Sequence, residues 1–129
     1  MTRVLIVDDD PDVRLLLDVR LRQQGHLVLT AGCAAEALDL LAAKGPPDVV
    51  VLDVLLPGTS GLDLLVQLRS RPGLAALPAV FLSGRVEADD IAAGRALGAT
   101  YLTKPVVISA LSDALERALR PAATPAGSW

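Results

Sequence analysis

This sequence of 129 residues has one cysteine, no long apolar run and only a small excess of negative charge. Its single cysteine, Cys33, excludes a disulfide bond within the chain. Asp53 and Pro57 interrupt the longest apolar stretch well before the ~20 residues that cross a bilayer, so a membrane-spanning segment is excluded. The net charge of −3 offers no general attraction for nucleic acid or an anionic membrane surface, so neither is an expected partner.

The length and the 52% hydrophobic content predict one compact domain, which we assign to residues 1–120. The first residues, "MTRVLIVDDD", lack the apolar core and cleavage site of a signal peptide, so a cytoplasmic location is expected. Residues 121–129, "PAATPAGSW", contain two prolines and a glycine without hydrophobic periodicity. That composition predicts a flexible tail or the start of a linker.

Short β-branched runs alternate along the chain with segments of helical period. The predicted strands are 3–7, 26–30, 48–53, 78–83 and 100–104, and the predicted helices are 12–25, 34–45, 61–71, 87–98 and 107–120. Because parallel strands need crossover helices, five such units without a hairpin signal predict an α/β fold with helices on both faces of a parallel sheet.

Polar side chains follow four of the five predicted strands, at the edge where an open parallel sheet binds its ligands. They are Asp8, Asp9 and Asp10 after the first strand, Asp53 at the end of the third, Ser83 at the end of the fourth and Lys104 after the fifth. Carboxylates at neighbouring strand ends repel unless a cation lies between them, which implies a hard divalent metal, most simply Mg²⁺. A hydroxyl and an ammonium group beside it suit the oxygens of a phosphoryl group.

Each of these residues also has a plainer interpretation. The three aspartates are suited to capping the first helix, and we assign that role to Asp10. A lone Ser83 at a strand end is usually a turn residue, and a lone Lys104 is usually a solvated charge. Their joint placement with Asp53 favours a common site for phosphoryl transfer.

Four motifs, "VDDD", "LDVLLPGTSG", "LSG" and "TKP", occur in this order at the predicted strand ends. With them, the chain from Arg3 to Arg120 resembles a response-regulator receiver domain of the CheY-like family. The resemblance implies a flavodoxin-like, doubly wound (βα)5 fold whose five parallel strands have the order 2-1-3-4-5.

The resemblance also implies a role for each site residue. Asp53 would be the phospho-acceptor, with Asp8, Asp9, Asp53 and the backbone carbonyl of Leu55 as ligands of Mg²⁺. Ser83 and Tyr101 would be the switch residues, Lys104 the ion-pairing lysine, and the bond from Lys104 to Pro105 a cis peptide.

A receiver of this family would accept a phosphoryl group from a sensor histidine kinase or a histidine phosphotransfer protein. Phosphorylation would then alter the face formed by the fourth helix, the fifth strand and the fifth helix, and so control an output domain, a partner protein or homodimerisation. No dedicated enzyme activity is expected beyond self-phosphorylation and autodephosphorylation. In this family two side chains flank the path of the hydrolytic water, here Leu55 and Arg85, and neither favours hydrolysis, so slow dephosphorylation is expected.

The alternative is a hydrolase of the haloacid-dehalogenase type, which also forms an aspartyl phosphate on an α/β sheet. Such an enzyme needs a second aspartate two residues after its nucleophile, where this chain has Leu55. It also needs a cap domain that selects the substrate. The sequence therefore favours the receiver.

Overall fold

A central sheet of five parallel strands organises the computed structural model, which describes residues 2–84 and 88–120. Its strands are β1 (Arg3–Val7), β2 (Leu27–Ala31), β3 (Val49–Asp53), β4 (Ala79–Ser83) and β5 (Thr100–Thr103). They lie in the order β2-β1-β3-β4-β5, which confirms the predicted doubly wound fold.

In the described residues, four helices connect the strands of this sheet and a fifth follows β5. They are α1 (Pro11–Gln23), α2 (Ala34–Lys44), α3 (Gly61–Arg69), α4 (Ala88–Ala96) and α5 (Ile108–Leu119). The side chain of Asp10 accepts a hydrogen bond from the backbone N–H of Asp12 at 2.9 Å, so Asp10 caps α1 as predicted. Within the part of the chain described here, none of the helices combines the length and the apolar character needed to traverse a bilayer.

The core has two layers because successive side chains of a strand point to opposite faces of the sheet. On one face, Val50 and Leu52 of β3 join a cluster with buried side chains of α2 and α3. On the other face, Val49 and Val51 join a cluster with buried side chains of α1 and α5. All five residues of β3 are buried, so this strand carries its last residue, Asp53, into the interior.

A short antiparallel hairpin that the sequence analysis did not predict follows β3. Leu55–Leu56 pairs with Thr59–Ser60, and Gly58 between them has φ 80°, a conformation that glycine adopts without strain. Pro57 and Gly58 are typical of a turn, but four pairing residues are too few to show a strand pattern.

The hairpin leads directly into α3 at Gly61. The backbone N–H of Gly61 donates to the carbonyl oxygen of Val54 at 2.7 Å. A Cβ atom at Gly61 would overlap the carbonyl oxygen of Asp53, so the helix begins this close to β3 because residue 61 is glycine. This contact fixes the end of β3.

Candidate functional site

The buried polar side chains meet at the carboxyl edge of the sheet. Of the residues that the structure describes, Asp8, Asp53 and Ser83 are the buried polar or charged ones, with 1%, 6% and 1% of their surface exposed. They lie at or just after the ends of β1, β3 and β4. Burying polar groups costs free energy unless they are paired, so their concentration at one edge marks a functional site.

Lys104, directly after β5, links the two buried carboxylates. Its Nζ lies 2.8 Å from Oδ2 of Asp8 and 3.0 Å from Oδ2 of Asp53. The lysine side chain is 21% exposed, so both ion pairs are largely shielded from water. The sequence placed Asp8, Asp53 and Lys104 at strand ends, and the fold brings all three into direct contact.

Burial and charge act in opposite directions on these groups. Burial raises the pKa of Asp8, and the hydrogen bonds and charge of Lys104 reduce this shift without reversing it. Burial by itself would lower the pKa of Lys104, but its ion pairs with Asp8 and Asp53 outweigh that effect, so the pKa is raised. The lysine therefore stays charged. A cation bound beside Asp8 in addition to the Lys104 ammonium would favour the ionised form of the aspartate.

Backbone N–H groups hold the other oxygens of the two carboxylates. Oδ1 of Asp8 accepts a hydrogen bond from the N–H of Asp10 at 2.9 Å, and Oδ1 of Asp53 accepts one from the N–H of Leu55 at 3.0 Å. Oδ2 of Asp8 is buried and, apart from its ion pair with Lys104, has no hydrogen-bond partner in the described residues. This oxygen can therefore accept a further electropositive ligand.

The three aspartates fit a divalent cation. Asp8, Asp9 and Asp53 each offer a carboxylate oxygen, and these atoms all lie within 4.8 Å of one another. Asp9 is exposed and the other two are buried, so the cluster opens to solvent on one side. Hard oxygen donors on a partly open site match Mg²⁺, which keeps several of its waters. The carbonyl of Leu55 as a further ligand remains a prediction.

Ser83 and Tyr101 lie on the neighbouring strands β4 and β5. The backbone N–H of Lys104 donates to the carbonyl oxygen of Ser83 at 3.0 Å, which joins the ends of β4 and β5. The Tyr101 ring stacks on Phe81 of β4, with ring centroids 5.2 Å apart and 27° between the planes. The peptide bond between Lys104 and Pro105 is cis.

Two contacts near the site were missed by the sequence analysis. Arg14 of α1 donates a hydrogen bond to the backbone carbonyl oxygen of Asp8, and Gly94 of α4 makes room for the ring of Tyr101. A glycine within a helical pattern was the available signal for Gly94, whereas Arg14 gave none beyond its helical position. Arg85 and residues 121–129 lie outside the described residues, so their roles stay predictions.

A model of the response regulator receiver domain matches residues 4–116. The transcriptional regulatory protein KdpE of Mycobacterium tuberculosis is 40% identical over 121 residues, which cover 93% of this chain and 52% of KdpE. Protein PilH of Pseudomonas aeruginosa is 36% identical over 82% of this chain and 88% of its own length. The structure of the chemotaxis protein CheY4 of Vibrio cholerae superposes with a TM-score of 0.85 at 30% identity, over 92% of this chain and 99% of CheY4.

The chain thus spans about half the length of the transcriptional regulator KdpE. Its matches favour a receiver over the haloacid-dehalogenase type of hydrolase. The match over residues 4–116, the parallel sheet and the acidic cluster at its carboxyl edge agree, and the chain belongs to the family of response regulator receiver domains of two-component signalling.

Proposed function

We propose that this receiver accepts a phosphoryl group on Asp53 from a phosphohistidine of a sensor histidine kinase or a histidine phosphotransfer protein. The observation that carries the proposal is the position of the Asp53 carboxylate. Oδ1 is held by the N–H of Leu55, and Oδ2 lies 3.0 Å from Nζ of Lys104. The carboxylates of Asp8 and Asp9 complete a cluster of cation ligands around it.

In the forward step, a carboxylate oxygen of Asp53 attacks the phosphorus of phosphohistidine. The phosphorus–nitrogen bond breaks and its electron pair returns to the imidazole nitrogen, which leaves an acyl phosphate on Asp53. Water later attacks the phosphorus and loses a proton to the solvent. The bond to the Asp53 oxygen breaks, its electron pair returns to the carboxylate, and inorganic phosphate leaves. Bound Mg²⁺, held by Asp8, Asp9 and Asp53, would neutralise part of the negative charge on the transferred group.

Lys104 and Ser83 would bind oxygens of the phosphoryl group from the two strands beyond β3. When Lys104 moves from the Asp8 and Asp53 carboxylates to a phosphoryl oxygen, the end of β5 moves with it. Phe81 lies two residues before Ser83, and Tyr101 lies three residues before Lys104. The two aromatic rings stack on one another. This contact is the route by which we propose that phosphorylation reaches the face formed by α4, β5 and α5.

The output of the switch is also part of the proposal. KdpE is a transcriptional regulator about twice as long as this chain, so we propose an output domain or a partner protein that reads the α4, β5 and α5 face. A homodimer through that face is one form of such a readout. Residues 121–129 would then form the linker or tail that follows the receiver at residue 120.

Slow dephosphorylation and a cytoplasmic location complete the proposal. Leu55 is 61% exposed beside the acidic cluster, and its side chain offers no hydrogen bond to orient an attacking water. Arg85 would bind and cover a phosphoryl oxygen. The exchange would take place in the cytoplasm, where a kinase partner has access to ATP.

Phosphorylation of the purified protein tests this function. Incubation with acetyl phosphate and Mg²⁺ should add the mass of one phosphoryl group, and hydroxylamine should remove it. Asp53→Asn keeps the shape of the side chain and should take up none. Phosphorylation of Asp53→Asn to the same extent as the wild type would overturn the assignment.

A further inference from the structure

Arg14 of α1 extends to the acidic cluster. There it forms a hydrogen bond with a backbone carbonyl rather than with a carboxylate. Its Nη1 donates to the backbone carbonyl oxygen of Asp8 at 2.7 Å, and the arginine is half-buried. A hydrogen bond from a guanidinium to a carbonyl is charge-assisted, and it is stronger where water is partly excluded. Arg14 therefore holds the backbone of a residue whose side chain belongs to the cluster.

The other polar groups of Asp8 are also held. Its N–H donates to the carbonyl oxygen of Ala31 at 3.0 Å, which extends the pairing of β1 with β2 by one residue. Its Oδ1 accepts from Asp10, and its Oδ2 pairs with Lys104. The bond from Arg14 fixes the remaining group, the carbonyl, so the Asp8 peptide has a defined orientation at the point where the chain leaves the sheet.

The turn between β2 and α2 leaves room for this guanidinium. A Cβ atom at Gly32 would lie 3.0 Å from Nη1 of Arg14 and 3.2 Å from Oε1 of Glu36. Both distances are shorter than ordinary van der Waals contacts, so with a side chain at residue 32 the Arg14 guanidinium and the Glu36 carboxylate would have to shift by a few tenths of an ångström. The absence of a side chain at Gly32 thus gives the Arg14 guanidinium the space in which it makes this hydrogen bond.

We propose that Arg14 is a positioning residue for the metal site, which orients the Asp8 carboxylate and the adjoining Asp9 through the Asp8 carbonyl. The inference rests on the proposed Mg²⁺ site. Its chemistry suits the role: the positive charge is bound to a carbonyl rather than to a ligand carboxylate, so the cluster keeps its oxygens for the cation. Groups that orient metal ligands usually change metal affinity when they are removed.

A Mg²⁺ titration of the unphosphorylated protein tests the role. Amide chemical shifts of Asp10 and Leu55 report directly on the cluster, because these N–H groups donate to the Asp8 and Asp53 carboxylates. Arg14→Met should raise the Kd for Mg²⁺ about ten-fold, the lower end of the range for groups that orient ligands. Arg20→Met, on an exposed arginine of the same helix, is the matched control and should leave the Kd unchanged.

The conservative variants separate positioning from folding. Arg14→Lys keeps the charge and should restore part of the affinity, and Gly32→Ala should weaken Mg²⁺ binding although it removes no group from the site.

A wild-type Kd in a folded Arg14→Met would overturn the inference. If that variant does not fold, a wild-type Kd in both Arg14→Lys and Gly32→Ala would overturn it equally. Absence of Mg²⁺ binding by the wild-type protein would instead overturn the proposed metal site.

Discussion

Tyr101 and Gly94 fit together because Gly94 has no side chain. A Cβ atom at residue 94 would overlap Cε2 of Tyr101 and would lie 2.8 Å from Cζ and 2.9 Å from the hydroxyl oxygen. The ring is thereby held between α4 and Phe81, on which it stacks. The packing of α4 against β5 thus depends on where this ring lies.

Gly94→Ala should expel the Tyr101 ring from its place and lower the free energy of unfolding by about 1–3 kcal/mol, a typical effect of overpacking. At a helical glycine with free space around it, the same substitution usually raises the free energy of unfolding by about 0.5–1 kcal/mol. Urea unfolding measures the change, and the aromatic NMR signals of Tyr101, the single tyrosine of the chain, report the ring. A more stable variant with unchanged ring signals would show that the ring does not depend on Gly94.

Asp8→Asn should stabilise the Mg²⁺-free protein at neutral pH. Burial raises the pKa of Asp8 despite the ion pair with Lys104, so the folded state binds a proton more readily than the unfolded state. As pH rises through the range between the ordinary aspartate pKa and this raised one, the ionised carboxylate lowers the free energy of unfolding. Asparagine removes that penalty, and the difference should disappear as pH falls below the ordinary range.

Urea unfolding in EDTA across this pH range checks the sign. A ligand that binds the folded state raises the free energy of unfolding. Because Asp8→Asn lacks one carboxylate ligand, added Mg²⁺ should stabilise the wild type more than the variant. A variant that is less stable than the wild type at neutral pH in EDTA would contradict the burial argument.

Asp9→Asn should weaken Mg²⁺ binding with little effect on stability. Asp9 is exposed, and its carboxylate lies within 4.8 Å of the Asp8 and Asp53 oxygens, so it adds a ligand without filling the core. Asp12→Asn changes an exposed aspartate in the first turn of α1 and serves as the control. Equal Mg²⁺ titration curves for the two variants would mean that Asp9 is an ordinary surface charge.

Arg69 contributes to stability away from the acidic cluster. Its Nε and Nη2 donate to the carbonyl oxygen of Leu77 at 3.1 and 2.9 Å, and its Nη1 donates to the carbonyl oxygen of Leu97. Arg69→Met should lower the free energy of unfolding by about 1.5–3 kcal/mol, as for hydrogen bonds to a charged group, and leave Mg²⁺ binding unchanged. Arg71→Met, on an exposed arginine, should change stability little. Equal unfolding midpoints for the two variants would rule out this role.

The sheet and the acidic residues were predictable because strand periodicity and polar strand ends are local features of a sequence. Helix ends were less predictable. The helices α3 and α4 end two residues before their predicted limits, because the last turn of a helix frays and hydrophobic periodicity locates its end only to within one or two residues. The contacts of Arg14 with Asp8 and of Gly94 with Tyr101 arise when separate elements pack. Apart from the glycine within a helical pattern at residue 94, the sequence carries no signal for them.

The site of phosphorylation tests the central claim most directly. Borohydride reduces an acyl phosphate on aspartate to homoserine, which tandem mass spectrometry locates within a peptide. After incubation with acetyl phosphate and Mg²⁺, homoserine should appear at residue 53, and omission of Mg²⁺ should greatly reduce it. Homoserine at residue 8 or 9 instead, or a hydroxylamine-stable phosphate on Ser83, would contradict the assignment of Asp53 as the phospho-acceptor.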